Sequence, residues 1–302
     1  MGLNNVLVTI GILTYRRTDL LIETLRDICK TNKFIELIIV NNNENLDIYN
    51  DISFIENNKK IELLYIWDKK NYGVANGRNK IIENLKTDYL IIFDDDIVIP
   101  DIDKIIDNCV RNFNNDENIG GIAFHIKDNN TKIANRYEIP HKNKYINLEA
   151  DFFTYLFIGA GHAIRKSVID KIGGYPIDFG LYGSEEIDLA FRIIGNGYKI
   201  RFISDNVIFH KKSPSGRHDN LYVYYLAYIN RTKISIRYFK LRYVLSCILI
   251  RGLYLVYQTK NFKYTMSAFR EFKYEFKNRK KSNLFNSEFY SYIKSVKGFL
   301  WW

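Results

Sequence analysis

The feature that most restricts this chain is the alternation of apolar, β-branched runs with helical patterns through residues 6–93. The runs VLVTIGILTY (6–15), FIELIIVN (34–41), IELLYIW (61–67) and YLIIF (89–93) are of strand length and almost continuously apolar. Between them lie an amphipathic stretch at 19–30, with Leu20, Leu21, Thr24, Leu25 and Ile28 on one stripe, and a helical segment through ANGRNKIIENLK. Strands apolar on both faces need cover on both faces, so the pattern predicts a mostly parallel sheet in a Rossmann-like, nucleotide-binding α/β architecture. Ligands in such sheets sit beyond the carboxyl ends of the strands. The fourth run ends there on Asp94, Asp95 and Asp96, which position alone makes site candidates.

Further along, the pattern predicts a helix over 101–113, a strand at IGGIAFHI and a polar excursion to residue 150. FFTYLFIGAGHAI (152–164) reads as one apolar strand running into a glycine turn. GGYPIDFGLYGSEEIDLAFRIIGNGY reads as a loop leading into a helix that Gly195 and Gly197 stop. KIRFIS and VIFH close the body as strands at 210. A domain boundary is expected there because charge changes sign. Residues 1–210 hold 25 Lys+Arg and 30 Asp+Glu, whereas residues 211–302 hold 19 Lys+Arg and 4 Asp+Glu.

Past a turn-rich connector, KKSPSGRHDN, the basic part predicts aromatic helices at LYVYYLAYINR and LRYVLSCILIRGLYLVYQ. Its uncharged stretches, 243–250 and 252–259, are too short to span a bilayer, and joining them would put Arg251 near the centre. Contact with a membrane surface is favoured over simple packing on the body, given the basic balance and the terminal FLWW. Three widely spaced cysteines, Cys29, Cys109 and Cys247, fit a reduced, intracellular setting without a disulfide frame or zinc cluster. The N-terminal run lacks a basic signal-peptide region and alternates like a strand, so the expected location is cytoplasmic, peripheral on the inner face of the membrane.

Adjacent carboxylates are relieved by a divalent cation, and Asp94-x-Asp96 can grip Mg²⁺ or Mn²⁺ together with a diphosphate; the bland alternative is a solvated loop. In GSEEIDLAFR, Ser184 is an expected N-cap and Asp188 can pair with Arg192, leaving Glu185 or Glu186 to face a cleft as general base. Acids at a helix start otherwise simply answer its dipole. NYGVANGRNK opens a helix whose N–H groups and Arg78 could approach phosphate. His125, His141, His162, His210 and His218 are each structural by default.

Taken in order, ILTYRR, IIVNNNEN, NYGVANGRN, LIIFDDDIVIP, FIGAGHAIRKSVIDKIGGYP and GSEEIDLAFR resemble the family 2 glycosyltransferases of GT-A fold, over most of residues 6–210. The resemblance implies Asp94 and Asp96 as metal ligands on a nucleotide-sugar diphosphate, with Asp95 near the nucleotide and His210 as a third ligand. It implies that Thr14, Tyr15 and Arg16 line base and ribose and that Arg78 contacts the nucleotide. It makes Glu186 the catalytic base, with Glu185 before it, and sets Gly159, Ala160, Gly161 and His162 beside sugar and acceptor. Two positions depart from the family pattern. Asn41-Asn42 stand where an aspartate usually accepts from the base, and the Glu-Asp motif reads Glu185-Glu186. An asparagine oxygen can still accept from a uracil N3–H. The expected activity is inverting transfer from a nucleotide-sugar, UDP-sugar favoured, to a saccharide or lipid-linked saccharide. The rivals are a nucleotidyltransferase or an NAD-dependent oxidoreductase, since GAGHAI imitates part of a dinucleotide fingerprint, and a binder of saccharide or nucleic acid through the basic tail. A nucleic-acid partner is not expected.

Overall fold

The computed structural model describes residues 7–212 and 220–301. Readings that touch Val6, the connector around His218 and Trp302 lie outside the described residues. The first half is the expected winding: β1 (Val8–Thr14), α1 (Thr18–Ile28), β2 (Ile35–Asn41), a short α2 (Tyr49–Ile52), β3 (Ile61–Ile66), α3 (Gly73–Glu83) and β4 (Tyr89–Asp94). β1 pairs in parallel with β2 on one side and β4 on the other, and β3 extends β2. The chain thus reverses its direction of growth between β1 and β4, and the crevice at their carboxyl ends is where such a sheet accepts a ligand.

Alternation along the strands divides the core. Val8, Ile10 and Ile12 of β1, with Ile91 and Phe93 of β4, pack with Leu21, Leu25 and Ile28 of α1. Leu90 and Ile92 face the other way, toward Ala75 and Ile81 of α3. Two-residue periodicity places successive side chains on opposite faces, which is why these strands had to be apolar throughout.

The second half adds β5 (Ile97–Val98), α4 (Ile102–Asn115), β6 (Ile119–Asp128), β7 (Phe152–Thr154), β8 (Gly161–Arg165), α5 (Lys166–Ile172), α6 (Glu185–Gly195) and β9 (Lys199–His210). The sheet order is β3-β2-β1-β4-β8-β6-β9-β5, with β7 also paired to β9. Two expectations change here. The 152–164 run is two short strands, β7 and β8, separated by residues 155–160 that turn the backbone toward the cavity. KIRFIS and VIFH are one strand, β9, carrying an irregularity where Phe124–His125 meet Ile203 and Val207.

The basic region forms α7 (Asn220–Tyr238), α8 (Leu241–Thr259), α9 (Phe262–Asn278) and α10 (Ser287–Ser295). It is not a detached appendage. Ile234, Phe239, Phe289, Ile293 and Leu300 enter the same core as α3 and α6, while Tyr228, Ile236, Val244, Leu255 and Phe272 build a small core of their own. Helix α7 serves both, as expected of a helix apolar on most sides.

Candidate active site

The three aspartates do not share one environment. Asp94 is partly exposed, whereas Asp95 and Asp96 are fully buried. Asp95 turns inward: Thr14 Oγ1 donates to it at 2.7 Å, and the Arg17 guanidinium pairs with it. Arg17 also donates to Asp96 at 2.9 Å. Burial pushes Asp95 up to about 7, against the opposing pull of Arg17 and Thr14. Burial lowers Arg17, yet Asp95, Asp96 and Asp94 prevail and hold it above its usual value. The charge that relieves this run therefore comes from the end of β1. A left-handed residue, Arg16 (φ 58°), turns the chain there, so that Arg16 lies outside over the Tyr15 ring and Arg17 returns to the acids.

A second cation, Arg78 of α3, is 3% exposed and spans the site. It donates to Glu185 at 2.9 Å, to Asp94 at 3.0 Å and to the Gly159 carbonyl at 3.0 Å. Burial lowers its pKa, but Glu185 and Asp94 outweigh that and keep it charged. The start of α3 lies against the backbone of the loop that carries Leu181. Gly73 has φ 73°, and a Cβ there would lie 2.9 Å from the Leu181 Cα.

Glu185 is occupied on both oxygens, by Arg78 and by the Gly183 N–H at 3.1 Å. It supports the site rather than facing it as a free base. Ser184 adopts a left-handed conformation (φ 69°) and its side chain does not cap α6, contrary to expectation. The expected Asp188–Arg192 pair forms at 2.6 Å. Glu186 lines the cavity, and burial, then the charge of Glu185, pushes it up to about 7.

That cavity, about 580 Å³, is lined by Thr14, Tyr15, Arg17, Asn42, Arg78, Asp94, Asp96, Gly159, Ala160, Glu185, Glu186 and His210. Five sequence candidates lie off its lining. Arg16 points outward, and Asp95 is turned into the fold. Asn41 donates to the Leu46 carbonyl and the Tyr65 hydroxyl, stabilising its own loop. Gly161 begins β8, and His162 is buried between the Ile158 carbonyl and the Tyr175 hydroxyl, where burial holds it well below its usual pKa.

Conversely, the cavity takes Arg17, Tyr137, Glu138, Val223, Ala227 and Arg231, none of which was singled out from sequence. Arg17 was legible in part, being the last residue of ILTYRR. Glu138 and Arg231 carried no local signal, because loop 129–150 and α7 reach the site only through tertiary packing.

Asp94, Asp96 and His210 offer ligand atoms all within 4.8 Å of one another. Two carboxylates and one imidazole fit Mn²⁺ or Mg²⁺, with the imidazole better suited to Mn²⁺. The surroundings of His210 support the fit. Its Nε2 lies 3.2 Å from Asp96 and its Nδ1 2.5 Å from Glu138. Burial lowers its pKa, but those two carboxylates push it up to about 10. The ring thus carries a proton where a bound cation would place its charge.

Glu138, in turn, orients the ring as partners of metal-bound histidines do. Glu138→Ala is expected to weaken Mn²⁺ affinity about 10- to 100-fold, read by paramagnetic resonance of free Mn²⁺. Unchanged affinity would remove Glu138 from this role.

The family profile described as Glycosyl transferase family 2 matches residues 9–173. An uncharacterized protein of Haemophilus influenzae is 38% identical over 176 residues, covering 57% of this chain and 95% of that one. Among solved structures, the mannosyltransferase PcManGT from Pyrobaculum calidifontis, in complex with GDP-Man and Mn²⁺, aligns at TM-score 0.58 and 18% identity, over 87% of this chain and 73% of that one. GalNAc-T7 with UDP, GalNAc and Mn²⁺ aligns at 0.62 and 12%, over 88% of this chain and 57% of that one. S. aureus TarS 1-349 in complex with UDP-GlcNAc aligns at 0.55 and 13%, over 80% and 72%. At these identities the structural likenesses speak to the fold.

Proposed function

This chain belongs to glycosyl transferase family 2, a glycosyltransferase of GT-A fold, and we propose that it moves a sugar from a nucleotide-sugar, UDP-sugar favoured, to a hydroxyl of a saccharide or lipid-linked saccharide. The proposed setting is cell-surface polysaccharide synthesis at the cytoplasmic face of a membrane. One observation carries the reading: the Asp94–Asp96–His210 cluster and the cavity-facing Glu186 open into one cavity. The nucleotide-sugar and Mn²⁺ complexes of the structural neighbours support it.

In the proposed reaction, Asp94, Asp96 and His210 would hold Mn²⁺ or Mg²⁺, which would supply positive charge beside the diphosphate. Tyr15 and Asn42 line the cavity near the β1 and β2 ends, where the nucleoside is expected. Glu186 takes the proton from the acceptor hydroxyl as its oxygen bonds the anomeric carbon. The bond from that carbon to the β-phosphate oxygen breaks, and the nucleoside diphosphate leaves with the electron pair, inverting the centre. Arg78 and Arg17 hold the carboxylates in place, so little reorganisation is needed as charge develops.

Calorimetric titration of UDP is expected to show binding with Mn²⁺ that is lost on chelation with EDTA and strongly weakened by Asp96→Asn. Failure of UDP, dTDP, GDP and CMP alike to bind in the presence of metal would overturn the reading.

A further inference from the structure

Helix α8 buries Tyr243, Val244, Cys247, Gly252 and Leu255. Its opposite face carries Leu245, Leu249, Leu253 and Tyr257, one every four residues, and these are 51%, 64%, 71% and 67% exposed. Charge enters that face near its two ends, with Arg242 at the start and Lys260 over the Tyr257 ring. Scattered exposed apolar residues are ordinary on a soluble protein, but a continuous strip over more than three turns is not.

Helix α9 continues the pattern. It buries Thr265, Ala268, Phe272 and Glu275. Turning outward at 3.6 residues per turn, Phe262, Met266, Phe269 and Phe276 come next with Lys273 among them, and Lys263, Arg270 and Lys277 follow, all exposed.

Charge selects the occupant. Residues 240–281 hold 11 Lys+Arg and 2 Asp+Glu. Both acids are turned toward α7, Glu275 pairing with Arg237 and Glu271 with Lys233. An apolar strip bordered by cations complements a bilayer with anionic headgroups, acyl chains meeting the leucines and phosphates the lysines. A second copy of the chain would set like charge against like, and a nucleic acid would leave the leucines in water. Among the described residues, no helix is long and apolar enough to cross a membrane, so the surface lies on the bilayer rather than through it.

Helices α8 and α9 are tied to the cavity wall through α7. Tyr224 of α7 packs on Tyr254 at 6.1 Å, and Tyr225 on Tyr264 at 5.9 Å. Their neighbours on α7, Val223 and Ala227, line the cavity.

We infer that the outward face of α8 and α9 docks on an anionic lipid surface and holds the cavity at the headgroup layer, so that the acceptor sugar is presented on a lipid. The inference rests on the glycosyltransferase reading for its acceptor, but the docking itself does not.

The test floats the full chain with vesicles of phosphatidylcholine, with or without phosphatidylglycerol, beside the doubly substituted Leu249→Glu/Leu253→Glu chain. Both positions are exposed, so thermal unfolding is expected to be unchanged. Flotation is expected with anionic vesicles only, falling as salt rises, and the substituted chain is expected to partition at least about tenfold less. Mn²⁺-dependent UDP binding, measured in the same preparations, is expected to be equal in both. Equal flotation of the two chains, or none with anionic vesicles, overturns the docking. So does a dimer in light scattering that the substitutions convert to monomer. Loss of UDP binding with flotation intact would instead sink the donor-site reading and leave the docking standing.

Discussion

Glu186→Gln is expected to retain Mn²⁺-dependent UDP binding while transfer falls by about 10²–10⁴-fold, the usual contribution of a positioned general base. The loss should appear in kcat rather than in donor affinity, because the proton moves only as the new bond forms. The native enzyme should show a rate that rises with pH and levels off above about 7, since burial and then Glu185 push the carboxyl to about 7 and the base must be ionised to act. That limb should vanish in the variant. Stability should move the other way. Below about 7 the folded chain holds a proton at Glu186 that the unfolded chain releases near its ordinary carboxylate value. Raising pH through that window therefore costs stability, and the glutamine variant should be the more stable at pH 8. A variant with native turnover would take the base role from Glu186.

The largest expected effect on stability is at Arg78. Arg78→Met should destabilise the fold by about 3–5 kcal/mol, the range for leaving one member of a buried ion pair unpartnered. Glu185 side-chain exposure is only 7%, and Asp94 at 30% would be relieved in part by water. Most of the cost is thus assigned to Glu185. The double substitution Arg78→Met/Glu185→Gln removes the stranded charge and should recover most of the loss. Urea unfolding measures both. If the double variant is no more stable than the single one, the charge on Glu185 is not what Arg78 balances.

Much of the candidate site was legible before folding because its acidic residues sit at the ends of strands and helices, and such ends are written in local pattern. Asp94 and Asp96 follow an apolar run, and Glu186 opens a helix with a clear apolar stripe. Asp95 shows the limit of that reading. It stands between two cavity-facing residues in sequence, but the turn after β4 points it into the fold, where Thr14 and Arg17 wait. The resemblance sets His162 beside sugar and acceptor, while its place on β8, paired with Ile92 of β4, buries it fully.

The amino-acid order alone determined the winding of β1 to β4, the acidic strand end, the helix that carries Glu186 and the concentration of positive charge past residue 210. All are consequences of periodicity and composition acting over a few residues. Only the tertiary structure decided that Arg17 and Arg78, 78 and 16 residues before the aspartates they most closely answer in the acidic turn, supply their counter-charge. Their separations are bridged by sheet pairing and helix packing, which no local pattern encodes. The same holds for Glu138 behind His210 and for α7 in the cavity wall: long-range packing chose them, because burying apolar surface fixes where a segment lies and its polar side chains then meet whatever charge is there.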